Sequence, residues 1–330
     1  MYESNYNKRP VNYQPLTPVS FLFRTASIFP EKTAWIYNKR KANYEQLLTR
    51  SLMLSKYLKK IGIKKNDVVS VMLPNVPEMI EAHFGIPMTG AVLNSINVRL
   101  DLNTIKYILE DSKTKVLVFH EDYLELIKNI AKSLKKIKYF IVRDKKTIKE
   151  ESLNRIIDYE KIFLKVAIKE SIKERYFPES EWDNLSLNYT SGTTGKPKGV
   201  LYHHRGAYLM CFNNQMVWKM SYYPIYLWTL PMFHCNGWCF PWTIVALAGT
   251  QVCLKNVSGK EILKNLKKYS ITHLCGAPII LQMIINELKN IKLSNKVNIM
   301  TAASPPPPST LEKIEEKGFT VTHVYGLTET

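Results

Sequence analysis

The sequence predicts an α/β fold built from two tandem βαβ-type units. Short apolar runs closed by proline or polar residues alternate with stretches whose apolar residues recur every three or four positions. The alternation is interrupted once, over residues 145–183, by a Lys- and Glu-rich stretch containing Pro178, and then resumes. A chain of 330 residues, 45% hydrophobic and 22% charged, holds enough material for two such units around a large core. The expected division is 1–183, a first α/β subdomain with an N-terminal arm and the Lys-rich connection, and 184–330, a second one.

Residues 68–73 (Val-Val-Ser-Val-Met-Leu) run nearly unbroken into Pro74, the pattern of a buried strand. A helix is expected over 77–88, a strand over 91–94, a helix over 102–109 and a strand over 116–120. Leu124, Ile127, Ile130, Leu134 and Ile137 then mark one apolar helical face, and 139–142 is the next strand. One helix is expected inside the connection, over 159–168. Beyond it, residues 185–190 alternate apolar and polar. Further strands are expected over 226–230, 250–254, 271–275, 297–301 and 320–325. Ser258-x-x-Glu261 and Ser309-x-x-Glu312 match the capping box, in which each side chain bonds the other's backbone N–H. Strand–helix–strand units at this interval imply parallel sheets with helices on both faces.

The apolar stretch 238–254 is interrupted by Pro241, Gly249 and Gln251, which leaves it short of the ~20 apolar residues of a membrane span. It reads as a buried helix followed by a strand. Lys and Arg outnumber Asp and Glu by 46 to 28, a net charge of +18. Such a balance suits nucleic acid, an anionic membrane or anionic small molecules. The lysines are scattered through 39–41, 59–65, 132–136, 145–149 and 264–268, with no aromatic-interleaved basic patch and no DNA-reading motif. Solvated faces are therefore expected, and neither nucleic acid nor a membrane span. Cys211, Cys235, Cys239, Cys253 and Cys275 are odd in number and form no paired framework. Reduced thiols in a cytoplasmic compartment follow, with Cys211, Cys253 and Cys275 as core thiols. The polar N-terminus does not resemble an export signal.

The segment 189–200, Tyr-Thr-Ser-Gly-Thr-Thr-Gly-Lys-Pro-Lys-Gly-Val, is the most informative. Gly192 and Gly195 allow positive φ and let backbone N–H groups turn toward an anion. Thr190, Ser191, Thr193 and Thr194 add hydroxyls, and Lys196 and Lys198 add positive charge. Together they can surround a polyphosphate. The NTPase P-loop is excluded, because Lys196 is followed by Pro197 rather than Ser or Thr, and there is no dinucleotide Gly-x-Gly. His234-Cys235-x-x-x-Cys239 hints at metal ligands but fits no common zinc spacing. His203 and His204 suit packing or surface roles.

This run resembles the signature loop of the adenylate-forming family, which includes acyl-CoA synthetases, aryl-CoA ligases, luciferases and peptide-synthetase adenylation domains. Pro74-Asn75-Val76-Pro77-Glu78, the segment 90–100, Leu230-Pro231-Met232-Phe233-His234-Cys235-Asn236-Gly237-Trp238, Thr301-Ala302-Ala303-Ser304-Pro305-Pro306 and Tyr325-Gly326-Leu327-Thr328-Glu329-Thr330 resemble its other segments, in its order. The wording is most similar to the medium-chain acyl-CoA synthetase and plant-type acyl-activating group.

The resemblance implies an ATP-dependent acyl-CoA ligase: a carboxylate and ATP give acyl-AMP and pyrophosphate, and CoA then displaces AMP. It implies that residues 190–198 hold the β- and γ-phosphates. Thr328 and Glu329 become the catalytic pair, Thr328 on the α-phosphate and Glu329 on magnesium (Mg²⁺). Ala302, Ala303, Ser304, Pro305, Tyr325 and Gly326 would surround adenine. His234, Cys235, Gly237 and Trp238 would line the acyl and CoA pocket, with a core histidine as the other reading of His234. At Ala303 the family usually has glycine, so the methyl either crowds adenine or is harmless if φ is negative. The family's ribose-binding Asp, hinge and small C-terminal domain are not found in these residues. The resemblance thus implies the large N-terminal domain, truncated before its end, with the small C-terminal domain absent. A non-catalytic ATP-binding remnant, or one half of a split enzyme with a complementing chain, is the alternative.

Overall fold

Two seven-stranded sheets organise the chain. The structure, a computed structural model, describes residues 8–9, 11–147, 156–164, 176–191, 195–289 and 293–330. Helix α1 (Val19–Ile28) leads into a hairpin, β1 (Thr33–Tyr37) and β2 (Arg40–Asn43), and then into the long helix α2 (Tyr44–Lys60). Asn43 starts α2 with a complete capping box: its side chain accepts from the Gln46 N–H, and the Gln46 side chain accepts from the Asn43 N–H. The expected alternation follows as β3 (Val68–Met72), α3 (Pro77–Gly85), β4 (Val92–Ser95), α4 (Leu102–Asp111), β5 (Val116–Phe119), α5 (Leu124–Ala131) and β6 (Tyr139–Val142). The connection contributes a strand, β7 (Ile156–Asp158), and α6 (Tyr159–Leu164). The end of the helix expected there, 165–168, lies outside the described residues.

Next come β8 (Asn184–Thr190), β9 (Lys198–His203), α7 (His204–Val217), β10 (Ile225–Leu227), the short turn α8 (Cys235–Trp238), α9 (Phe240–Ala246) and β11 (Thr250–Val252). The chain continues through α10 (Gly259–Lys268), β12 (His273–Cys275), α11 (Pro278–Leu288), β13 (Val297–Thr301), α12 (Pro308–Glu316) and β14 (Phe319–His323). Residues 238–254 thus give a buried helix and a strand, and no helix among the described residues is long and apolar enough to cross a membrane.

Sheet membership departs from the division at 183/184. One sheet has the order β7-β6-β5-β3-β4-β8-β9 and the other β14-β13-β12-β10-β11-β1-β2. The N-terminal hairpin completes the second sheet, with Trp35 opposite Gln251, and β8 completes the first, with Leu93 opposite Ser186. Each hairpin is also the one antiparallel departure from a parallel sheet. The strand rhythm along the chain carries no record of which edge a strand joins; burial of residues such as Ala34 and Trp35 decides it.

The two halves consequently share one central core. Trp35, Val69, Val71 and Leu93 from the two sheets, and Trp228 just past β10, pack with Leu22, Leu54, Phe84 and Trp242 from α1, α2, α3 and α9. Helices α4 and α5 cover the outer face of the first sheet through Ile105, Ile108, Ile127 and Ile130. Helices α10, α11 and α12 cover the second through Ile262, Leu281, Ile284 and Ile314. The result is five layers, helix–sheet–helix–sheet–helix.

Only half of one expected capping box forms. Ser258 accepts from the Glu261 N–H at 3.3 Å, but the Glu261 carboxylate turns to Lys264 at 3.1 Å. Ser309 does not cap α12. Pro307 is the N-cap and Pro308 the first residue, because proline's fixed φ suits a helix start and its missing N–H needs no partner there. All five cysteines are free, and Cys211, Cys239, Cys253 and Cys275 are buried.

Candidate functional site

The polypeptide leaving β10 is pinned first by Asn75. Its buried side chain donates to the carbonyls of Trp228 (2.9 Å) and Leu230 (3.0 Å) and accepts from the Met232 N–H (2.8 Å). The chain then enters a left-handed turn. Cys235, Asn236, Gly237, Trp238 and Cys239 all have φ between +48° and +63°. Each L-residue in that conformation costs roughly 1–2 kcal/mol.

Asn236 anchors the turn. It is fully buried, and its Oδ1 accepts from Ser186 Oγ (2.8 Å) and Asn188 Nδ2 (2.7 Å). Its Nδ2 donates to Ser95 Oγ (3.2 Å) and His83 Nε2 (3.3 Å). Those four bonds use both acceptor and both donor positions of the amide. His83 Nδ1 donates to the Met79 carbonyl at 2.7 Å, which leaves Nε2 as an acceptor; burial lowers this ring's pKa to about 4. Gly237 is required on two counts: its φ is +55°, and a Cβ there would meet Trp228 Cζ3 at 2.6 Å.

The polar positions of β8 therefore do not face solvent, as alternation along a half-buried strand would suggest. Ser186 and Asn188 are buried because they hold Asn236. At the end of β8, Thr190 lies opposite Lys198 of β9, so the Gly- and hydroxyl-rich segment closes a β-hairpin. Ser191, Gly195, Lys196 and Lys198 are exposed, and Gly195 has φ +87° with open space around its Cα. Gly192, Thr193 and Thr194 lie outside the described residues. Tyr189, beside this loop, donates its phenol hydrogen to the Asp111 carboxylate of α4 at 2.7 Å.

The C-terminal segment arrives from the second sheet. The Val324 N–H donates to the Thr301 carbonyl at 2.9 Å, so residues 302–305 and 325–329 leave from neighbouring strands. Tyr202 of β9 donates its phenol hydrogen to the Thr328 carbonyl at 2.7 Å. Thr328 Oγ1 lies 3.1 Å from Cys235 Sγ. Burial raises the pKa of both Tyr202 and Cys235, and the nearby Glu329 carboxylate adds to it, so both stay protonated at neutral pH. Glu329 is exposed, and no lysine or arginine among the described residues pairs with it. Ala303 has φ +78°, the left-handed conformation natural to glycine. Tyr325 is 86% exposed, its ring free of protein packing.

Thr328 thus lies against Cys235 of the segment that follows β10 and against Tyr202 of β9, beyond the carboxyl end of β14; such positions are where parallel α/β sheets commonly bind ligands. The AMP-binding enzyme model matches residues 22–330. The chain belongs to the AMP-binding enzyme family. It is 42% identical to the peroxisomal acetate/butyrate–CoA ligase of Arabidopsis thaliana, over 98% of this chain and 59% of that protein. It is 40% identical to the acetate–CoA ligase of Humulus lupulus, with the same coverage. The peroxisomal benzoate–CoA ligase of Arabidopsis thaliana is also 40% identical, over 96% of this chain and 56% of that protein. The chain spans about three-fifths of the length of these curated relatives. Several are named as peroxisomal, a compartment the cytoplasmic expectation did not single out.

Solved CoA ligases and synthetases share the fold. An anthranilate–CoA ligase in complex with anthranoyl-AMP superposes with TM-score 0.83 at 20% identity, over 98% of this chain and 62% of that one. The o-succinylbenzoate coenzyme A synthetase of Bacillus subtilis with ATP and magnesium gives 0.78 at 24%, over 94% and 60%. The N-terminal domain of FACL13 from Mycobacterium tuberculosis gives 0.81 at 21%, over 95% and 76%. The expected large N-terminal domain of adenylate-forming enzymes is the fold observed. The relatives lend no support to a separate complementing chain.

Within this AMP-binding fold, Thr328 contacts Cys235 of the left-handed turn and Tyr202 of β9, and Thr190 pairs with Lys198 across the β8–β9 hairpin. His234 is exposed rather than a core histidine. Sequence reading singled out none of Asn236, Ser186, Asn188, Tyr202 or Asn75 by role. The polar residues of β8 were the available signal, once both faces of that strand are known to be covered. The metal reading of His234, Cys235 and Cys239 finds no geometry. Among the described residues the one group of side chains close enough to share an ion is His120, Glu121 and Asp122, whose carboxylates are held by Arg143 and Lys255.

Proposed function

We propose that the protein activates a carboxylic acid with ATP and passes the acyl group to CoA. The observation that carries this reading is that β9, whose start closes the Gly-, hydroxyl- and lysine-rich loop, is bonded through Tyr202 to Thr328, the residue beside Glu329. In the proposed reaction a carboxylate oxygen attacks the α-phosphorus, forming acyl-AMP as pyrophosphate leaves. The CoA thiol then attacks the acyl carbon and AMP leaves.

Thr190, Ser191, Gly195, Lys196 and Lys198 hold the β- and γ-phosphates and stabilise the leaving pyrophosphate, with Gly192, Thr193 and Thr194 completing the loop. The Thr328 hydroxyl donates to the α-phosphate. Ala302, Ala303, Ser304 and Pro305 flank adenine, and the exposed Tyr325 ring packs on it beside Gly326. His234, Cys235, Gly237 and Trp238 line the path of the acyl group and the CoA thiol. Glu329, an exposed carboxylate without a cationic partner among the described residues, suits Mg²⁺, which takes hard oxygen ligands and keeps its other positions for phosphate and water. When bound, the ion neutralises phosphate charge. No side-chain carboxylate other than Glu329 is assigned to it.

The acids activated by the relatives suggest the substrate panel. ATP–pyrophosphate exchange with acetate, butyrate and benzoate tests the reading. Exchange dependent on one of these acids, and lost in Glu329→Gln, is expected for the protein that carries this chain at its natural length. Absence of exchange with every acid, together with absence of ATP binding, would overturn it.

A further inference from the structure

We infer that Tyr202 is a positioning residue: its phenol fixes the segment carrying Thr328 and Glu329 against the phosphate hairpin. The inference rests on the reading above, in which that segment meets the α-phosphate and Mg²⁺. Tyr202 stands four residues after Lys198 on the same strand, so its position is rigidly tied to the hairpin. Its bond is to the Thr328 backbone carbonyl, so it sets the path of the chain rather than one rotamer. Cys235 Sγ contacts the Thr328 hydroxyl.

Among the described residues these two contacts are the only hydrogen bonds from residues 325–330 to the rest of the molecule. The others run between Leu327 and Thr330. Tyr325 and Leu327 are exposed and add little packing. A triphosphate held at one end by the hairpin and at the other by Thr328 and Glu329 needs a fixed spacing between the two groups. The phenol of Tyr202 is the group that spans it.

The test uses the protein that carries this chain at its natural length, its Tyr202→Phe variant, and Tyr202→His, whose ring N–H can still donate. Binding of tripolyphosphate without metal reports the hairpin alone, and binding of ATP with and without Mg²⁺ reports both ends. Tyr202→Phe is expected to bind tripolyphosphate within about twofold of the parent. The gain in ATP affinity on adding Mg²⁺ should shrink by about five- to tenfold, the effect of one lost hydrogen bond. Tyr202→His should recover part of that gain. Unchanged Mg²⁺-dependent ATP binding in Tyr202→Phe would overturn the inference. So would an equal loss of tripolyphosphate binding, which would mark a purely structural role. If the parent binds neither probe, the reading of the site itself fails and this inference with it.

Discussion

Residues 235–239 and Ala303 both run through left-handed backbone at the same site, with φ of +48° to +63° in the first and +78° in the second. The two places are supported differently. The turn is buried behind Asn236, whose amide makes four hydrogen bonds, and Gly237 packs directly on Trp228. Ala303 is exposed at the end of β13, and no hydrogen bond among the described residues holds its backbone. Strain in the turn is offset by a satisfied polar network, which makes the conformation a unique and rigid one. At Ala303 the strain is a local cost, since the usual glycine would adopt this φ freely.

Breaking the network should have the largest effect. Asn236→Ala leaves Ser186, Asn188, Ser95 and His83 without the amide and releases the turn, and a loss of about 3–4 kcal/mol of stability is expected from urea unfolding. A loss below about 1 kcal/mol would mean that the turn holds its shape without Asn236. A slightly smaller effect, graded by pH, should come from His83. Its folded pKa of about 4 lies below its ordinary value of 6.5. Above 6.5 the ring is neutral in both states and pH does not act through it. Between 6.5 and about 4 the unfolded chain takes up a proton that the folded chain does not, so stability falls as pH falls, by about 3 kcal/mol in all. The buried rings of His204, His120 and His273, also near 4, add in the same direction. Melting temperature measured from pH 7 to pH 4.5 should decline, and His83→Gln should make the decline shallower.

Gly237→Ala sharpens the comparison from the packing side. It places a methyl against Trp228 in a left-handed position, and about 2 kcal/mol of destabilisation is expected by thermal melting. The smallest effect carries the opposite sign. Ala303→Gly should stabilise by up to about 1 kcal/mol, because the strain is relieved and no packing is lost. A destabilising Ala303→Gly would show that the methyl makes a contact worth more than the strain.

Much of this was legible along the chain. The strand–helix rhythm from β3 to β6 could be read because the 2- and 3.6-residue periods lie in consecutive residues. The β8–β9 hairpin loop stood out by packing glycines, hydroxyls and lysines into one short segment. Errors arose where a partner is distant. The β1–β2 hairpin was not foreseen as part of the second sheet, since nothing near residue 35 refers to residue 251. The alternation along β8 gave no sign that its polar residues are buried, since their partner Asn236 lies about 50 residues ahead. Ser309 matched a capping pattern, yet Pro307 and Pro308 had already set the helix start.

The sequence by itself determined the α/β class, the order of the motifs and the Gly-, hydroxyl- and lysine-rich composition of the segment 189–200, because these depend on neighbouring residues and their periodicity. Tertiary structure alone decided that the two halves share a core, that φ at Ala303 is positive, that Asn236 bonds Ser186 and Asn188, and that Tyr202 bonds Thr328. Tyr202 and Thr328 are 126 residues apart in the chain. Their hydrogen bond exists because two separate sheets bring β9 and the end of β14 side by side, a consequence of burial summed over the whole molecule.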